Sequence, residues 1–298
     1  MKKHPFATHS KRMQVGVSLI AIVFLACISY VLVFWYNRMN LMMLGPHQPP
    51  APLHLTPVEM KTIRIDARRF DLVDKNIYIS ELFHGDLHSK DVALTFDDGP
   101  HPQWTPKLLR ILEALKVHAT FFVVGKMVDK YPYLVAQEVL DGDEVENHTY
   151  DHISMKHLNG PQVRIELEDG AAAIRRITGY TPYFFRPPGG GLTDEGKAVA
   201  AQLHMTSVMW TANSKDFTYP PDKLLEARLM DVNHNGAILL CHDGIPETMQ
   251  ILPDLVRRLR SQGYRFVTIS VLARHLIESE ERISRRPAFK MHAGMIVN

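Results

Sequence analysis

The sequence predicts an α/β fold, a distorted (β/α)7-type barrel of parallel strands, preceded by a single N-terminal transmembrane helix. Three observations carry this: an uncharged apolar run from Val15 to Tyr36, a regular alternation of short apolar runs with helix-period segments from Val92 onward, and the placement of unusual polar residues just after the strand-like runs. At 298 residues, 46% hydrophobic and 22% charged, with 17 Gly and 19 Pro, the chain can bury a sizeable core. Disorder, collagen and a small disulfide scaffold are excluded.

The N-terminal run, VGVSLIAIVFLACISYVLVFWY, is long enough to cross a hydrocarbon layer of ~30 Å as a helix. A cleaved signal peptide is the alternative, but its apolar core is shorter and ends in small residues, whereas this run ends in Val33, Phe34, Trp35 and Tyr36. A lipoprotein signal at Ala26-Cys27 fits less well, because the apolar run continues past the cysteine. Lys2, Lys3, Lys11 and Arg12 precede the span and only Arg38 follows closely, which keeps the N-terminus cytoplasmic and places the rest outside, in a periplasmic or extracellular space. The organisation expected is a cytoplasmic N-terminus (1–14), an anchor (15–36), a Pro-rich linker (37–59) containing GPHQPPAP, an extension of the outer domain (60–90), the main domain (91–276) and a peripheral tail (277–298).

In the extension, KTIRIDARRF and KNIYISELF suggest one or two strands. The main series then runs VALTF and Trp104–Lys116, ATFFVV and Lys126–Leu140, DEVEN and Pro161–Thr178, YFFRP and Asp194–Leu203, TSVMW and Pro221–Val232, AILLC and Thr248–Gln262, YRFVTI and Val271–Leu276. Seven such units suggest a closed or nearly closed barrel. The pattern alone also permits an open doubly wound sheet, although no Gly-rich fingerprint follows the first strand. The barrel is favoured because Asp97, Asp98, His148, Arg186, Asp216 and His242 all fall at strand ends, the rim where barrel enzymes place their chemistry.

Composition narrows the function. The formal charge is +2, and setting aside the four N-terminal basic residues leaves 30 basic against 32 acidic, so no basic face for nucleic acid is present. Cys27 and Cys241 lie in unrelated contexts, which argues against a structural disulfide or a Cys-based zinc cage. The 16 His residues direct attention to metal or acid–base chemistry.

Four stretches can carry that chemistry. LTFDDGP puts Asp97 and Asp98 at a strand end; neighbours in a straight strand face opposite ways, so both reach one site only if the chain turns, as Gly99-Pro100 encourages. Alone, Asp-Asp-Gly is an ordinary turn. His148 and His152 in NHTYDH are four apart, a spacing that on one helical turn places both on one face; a carboxylate would complete a three-ligand zinc site, while separate surface histidines are the plain alternative. FRPPGGG fixes Arg186 at another strand end, beside backbone that can approach a ligand and donate to an oxyanion, or else forms a salt bridge and a flexible loop. LCHDG supplies His242, a general acid if a carboxylate steadies it and otherwise a structural histidine.

Taken in order, TFDDGP, HTYDH, RPPGG, the Asp216-Phe217 pair and LCH resemble the polysaccharide deacetylase family, carbohydrate esterase family 4, over roughly Val92 to Leu276. The resemblance implies a distorted barrel and removal of acetyl groups from N-acetylglucosamine polymers such as peptidoglycan or chitin-like chains, or from O-acetylated xylan. It implies Asp97 as general base, Asp98, His148 and His152 as ligands of a divalent metal (most often Zn2+, with Co2+, Mn2+ or Ni2+ possible), and His242 as general acid. It further implies that Arg186 tunes Asp97, that Asp216 orients His242, and that Gly189, Phe217 and Leu240 contact substrate, with a backbone N–H near Gly189 facing the oxyanion.

This chain departs from the family pattern at several places. Asn213 stands where an acid is common, Phe217 replaces a Trp and Gly189 an aromatic; Asp143 and Glu146 replace His and Gly, which predicts added negative charge near the metal and an altered sugar groove. The leading expectation is an anchored, metal-dependent N-deacetylase of an extracytoplasmic amino-sugar polymer. An O-acetyl esterase on xylan or a modified glycan, and a non-catalytic membrane-anchored glycan-binding protein, are the alternatives. Beyond the acetylated glycan and the membrane, no nucleic-acid or protein partner is indicated.

Overall fold

The computed structural model describes residues 79–231 and 235–284. The proposed anchor and linker, Cys27 and most of the extension lie outside these residues. Among the described residues no helix is long and apolar enough to cross a membrane.

The strands are β1 (Glu81–Leu82), β2 (Asp91–Asp97), β3 (Thr120–Val123), β4 (Glu144–Asn147), β5 (Phe184–Phe185), β6 (Thr206–Val208), β7 (Ala212–Asn213), β8 (Ala237–His242) and β9 (Arg265–Val267). The helices are α1 (Thr105–Leu115), α2 (Gly125–Lys130), α3 (Pro132–Leu140), α4 (Gly160–Thr178), α5 (Asp194–Gln202), α6 (Asp222–Met230), α7 (Pro246–Ser261) and α8 (Ile269–Ser284). All pairings are parallel, in the order β1-β6-β5-β4-β3-β2-β8-β7, with β9 joining β2 beside its first residues. Every residue of β2 is buried, as a strand covered on both faces must be.

Alternation along the strands builds two cores. Val92, Leu94 and Phe96 of β2, with Leu239 and Cys241 of β8, pack outward against α1, α3, α6 and α7. Inside the curl, Leu82, Ala93, Phe122, Phe184, Val208 and Ile238 come one from each of six strands and close on Ile269, Leu272 and Ala273 of α8. The first turn of α8 is tied to the strand starts: the Ile269 N–H donates to Thr120 Oγ1 at 2.9 Å and the Ser270 N–H to Glu144 Oε2 at 3.1 Å. A carboxylate facing a helix N-terminus is favoured by both the free N–H groups and the helix dipole.

The expected barrel is therefore curled but open. Its terminal strands β1 and β7 are two residues each, too short to form a closing ladder, and no pairing joins them among the described residues. A single hydrogen bond from the Gly85 N–H to the Gly236 carbonyl (2.7 Å) ties the segment after β1 to the start of β8. The helix expected over Lys126–Leu140 is two, because Pro132 has no N–H to continue α2 and instead starts α3. Helix α8 continues to Ser284, past Leu276.

Candidate active site

The inner-face column of β2 reads Ala93, Thr95, Asp97, so the apolar interior gives way to polar groups toward the strand's C-terminal end. On β8 the matching column is Ile238, Leu240, His242, with Thr95 opposite Leu240 and Asp97 opposite His242. Leu240 is thus buried beneath His242 on the face that Asp97 occupies.

After Asp97 the backbone turns: Asp98 adopts φ 74°, the left-handed region, which brings its carboxylate to the same side as its neighbour. The two aspartates then share one imidazole, with His148 Nε2 lying 3.4 Å from Asp98 Oδ1 and 3.8 Å from Asp97 Oδ2. His152 Nε2 is 3.1 Å from the same Asp98 oxygen. One ligand atom from each of Asp98, His148 and His152 lies within 4.8 Å of the other two.

The spacing of four does not act through a helical turn. Residues 148–152 form a loop in which Thr149 (φ 66°) and His152 (φ 57°) are both left-handed, and this curls the second imidazole back toward the first. His148 donates from Nδ1 to the Arg186 carbonyl at 2.7 Å, which orients Nε2 toward Asp98.

Arg186 is fully buried, and every contact holds it in place. Its Nη1 donates to Asp97 Oδ1 at 2.6 Å and Thr95 Oγ1 at 2.8 Å, Nε to the Val208 carbonyl at 3.1 Å and Nη2 to the Met209 carbonyl at 3.2 Å, with the guanidinium 4.1 Å from the Phe122 ring centroid. Asp97 thereby has one oxygen fixed by Arg186 and the other turned to the metal-type cluster.

Across the site His242 Nδ1 donates to Asp216 Oδ1 at 2.6 Å, and the other Asp216 oxygen accepts from the His242 N–H at 2.8 Å and Thr248 Oγ1 at 2.6 Å. Burial works against charge on both groups, but their mutual contact outweighs it: the His242 imidazolium is stabilised and its pKa raised, and the Asp216 carboxyl is lowered. Burial likewise opposes ionised Asp98, yet the imidazoles beside it hold its carboxyl far below the usual range, while Asp98 raises His152. Phe217 meets His242 edge-on at 5.3 Å with its ring about half exposed, as a wall residue would be. Gly189 has φ 65° and open space where a Cβ would stand, and Trp210 covers Gly190 beside it.

Neither Asp143 nor Glu146 joins the cluster of Asp98, His148 and His152, contrary to the expected added negative charge at the metal. Asp143 precedes β4, at the far end of the strand from His148, and accepts the Ala119 N–H at 2.8 Å. Glu146 is buried and accepts the Phe184 N–H at 2.9 Å, and burial pushes its carboxyl well above the usual range, which disfavours its charged form. Sequence reasoning missed Thr95 and Thr248, whose hydroxyls serve Arg186 and Asp216. Thr95 was findable, since two residues before Asp97 on a strand means the same face. It also missed Asp243, which accepts from the Thr105 hydroxyl and donates its N–H to the Asp97 carbonyl at 2.8 Å; burial pushes its carboxyl up to about 6.

The donor set fits a divalent ion. Asp98 Oδ1 is a buried oxygen with no hydrogen-bond partner, aimed at two imidazole nitrogens whose rings are 4.9 Å apart, and one carboxylate with two imidazoles is a ligand set that leaves a position open for catalysis. A parallel α/β sheet with such a cluster, a buried Asp–Arg pair and an Asp–His pair at its strand ends defines the class: a metal-dependent hydrolase.

Comparison with known proteins names the family. The family model for polysaccharide deacetylase matches residues 84–208. A peptidoglycan-N-acetylglucosamine deacetylase of Bacillus cereus is 34% identical over 193 residues, covering 63% of this chain and 90% of that protein. The peptidoglycan-N-acetylmuramic acid deacetylase PdaC of Bacillus subtilis is 34% identical over 187 residues, 63% of this chain but 39% of PdaC, so the chain matches well under half of that relative's length. Among solved structures, BA3943 of Bacillus anthracis, a CE4 family pseudoenzyme, superposes with TM-score 0.61 at 32% identity, covering 64% of this chain and 67% of that one. This chain belongs to the polysaccharide deacetylase family, carbohydrate esterase family 4.

Proposed function

We propose that the chain is a zinc-dependent N-deacetylase of an N-acetylglucosamine polymer, peptidoglycan-like or chitin-like, held at the outer face of a membrane by residues 15–36. The observation that supports it is the complete set on one face: Asp97, with one oxygen held by Arg186 and the other free, stands between the Asp98, His148 and His152 cluster and the Asp216-backed His242.

An ion held by Asp98, His148 and His152 would polarise the acetyl oxygen and acidify a water. The protein's own residues do the rest. Asp97 Oδ2 takes the proton from the attacking water, its carboxylate kept in place by Arg186. The Gly189 N–H is the backbone donor for the developing oxyanion, since the Gly190 N–H is already given to the Pro187 carbonyl at 2.8 Å; such a donor contributes about 3 kcal/mol. His242, charged through Asp216, delivers a proton from Nε2 to the departing sugar nitrogen. Phe217 and Leu240 bound the acetyl and sugar side of the groove.

Family membership alone does not decide activity, because BA3943 is a pseudoenzyme of the same family; the base, the acid and the metal-type cluster all present in one chain favour the enzyme over a binding protein. The test is acetate release by the purified chain from N-acetylglucosamine oligomers, peptidoglycan and acetylated xylan, with zinc and with chelator. Chelator-sensitive release from the amino-sugar substrates supports the reading, release from xylan alone transfers it to an O-acetyl esterase, and no release by a folded, zinc-loaded chain leaves a glycan-binding protein.

A further inference from the structure

His148 and His152 sit at the two ends of a loop that includes two left-handed non-glycine residues, one of them the β-branched Thr149, so the loop's shape has to be imposed from outside. Its backbone groups show what imposes it. The Thr149 N–H is taken by Asn147 Oδ1 at 2.9 Å and the His152 N–H by Thr149 Oγ1 at 3.2 Å. On the carbonyl side, the Gly125 N–H donates to Thr149 at 2.9 Å and the Lys126 N–H to Tyr150 at 3.0 Å, both from the first turn of α2. The two central N–H groups, of Tyr150 and Asp151, converge on a single oxygen: Glu166 Oε2, at 3.0 and 2.9 Å. Successive N–H groups closing on one anionic oxygen form a backbone nest.

Glu166 is buried on α4, one residue before Leu167, whose carbonyl accepts from Asn147 Nδ2 at 2.9 Å. The same stretch of helix therefore grips the loop at its start and at its middle. Gly170, one turn on, permits the close approach, since a Cβ there would stand 2.3 Å from Asn147 Oδ1.

We propose that Glu166 is a positioning residue for the metal ligands: by binding the Tyr150 and Asp151 N–H groups it holds the loop in the form that brings His152 beside His148 and Asp98. The inference rests on the reading of those three residues as a metal site. Without Glu166 two N–H groups lose their acceptor, the loop relaxes, and His152 is released from its place at the cluster. Partners of this kind, acting on a ligand without touching the ion, typically change metal affinity 10–100-fold.

Zinc affinity of the full chain, read by chelator competition, tests it without any turnover. Glu166→Ala should weaken zinc by about 10–100-fold, whereas Glu166→Gln, whose amide oxygen can take the same two N–H groups, should stay within about threefold of the wild type. Ile174→Ala, a cavity elsewhere on α4, should lower thermal stability and leave zinc affinity unchanged. If Glu166→Ala does not fold, Glu166→Asp, which keeps the charge but withdraws the carboxylate by one carbon, should weaken zinc at least about tenfold. Wild-type affinity in the Ala or Asp variant, a Gln variant as weak as Ala, or an equal loss in Ile174→Ala would each overturn the proposal. A wild-type chain that binds no zinc would instead overturn the metal-site reading beneath it.

Discussion

Asp97 and His242 are register partners on the adjacent parallel strands β2 and β8, so their side chains leave the same face of the sheet side by side. The carboxylate and the imidazole proposed as proton acceptor and donor are thus fixed relative to each other by the ladder itself, with Arg186 bound to one and Asp216 to the other. Fixed relative placement of this kind removes much of the entropy cost of a two-proton reaction.

Removing the base should separate binding from turnover. Asp97→Asn is expected to retain zinc and lose about 10²–10⁴ in kcat, while Asp98→Ala loses both zinc and turnover. Zinc titration alongside acetate release checks this, and wild-type-like turnover in Asp97→Asn would refute the assignment.

The pH profile should report the His242–Asp216 pair. A general acid works while protonated, so activity falls as pH rises through the His242 pKa, which Asp216 raises above the ordinary histidine value. In Asp216→Asn that support is gone, and the alkaline limb of kcat should move to lower pH, with kcat itself reduced by about 10²-fold or more. An unmoved limb would assign it to another group.

Breaking the Asp97–Arg186 pair should cost stability as well as activity. Both partners are buried, and Arg186→Met leaves Asp97 without its cation, a loss of about 3–5 kcal/mol. Denaturant unfolding of the two proteins measures it; a loss under about 1 kcal/mol would show that Asp97 does not depend on Arg186 for its compensation.

Glu138 offers a pH test away from the site. It is wholly buried, neither carboxylate oxygen has a hydrogen-bond partner, and burial, with nearby Asp243, raises its pKa well above 4.5. A carboxyl raised on folding favours the folded state at low pH, and that contribution is lost as pH climbs from the unfolded value toward the folded one. Glu138→Gln does not titrate, so its stability relative to wild type should improve as pH rises above about 4.5. A parallel pair of stability curves would contradict the burial effect.

Zinc should raise the melting temperature of the wild type, by a free energy of about 2.7 kcal/mol at a hundred times Kd. Addition of chelator should reverse the shift, and Asp98→Ala should show none.

The ease of reading this chain varied with the length of each signal. β2, β3 and β8 are runs of four to seven buried residues, and such runs are visible as apolar stretches. β1, β5 and β7 are two residues each, below the length at which alternation can register, so the difference between a closed barrel and an open curled sheet was invisible. The same holds within the site. Asp97, Asp98, His148, Arg186 and His242 stand at strand ends in the order expected, but the helical turn inferred for His148 and His152 is a loop with two left-handed residues, because contacts from α2 and α4 outweigh the local spacing.

Strand and helix order, the residues at the strand ends and the uncharged run at 15–36 are properties of neighbouring residues, and periodicity and charge reveal them. Three features depend on contacts between distant positions. Glu146 has its carboxyl pKa raised because the interior that buries it is formed by other strands; Asp97 is steered because Arg186, 89 residues away, is buried against it. The loop that joins His148 to His152 gives its two central N–H groups to Glu166, on a helix that follows it. Burial and hydrogen-bond geometry exist only once the chain has folded, so charge state and site shape were settled there.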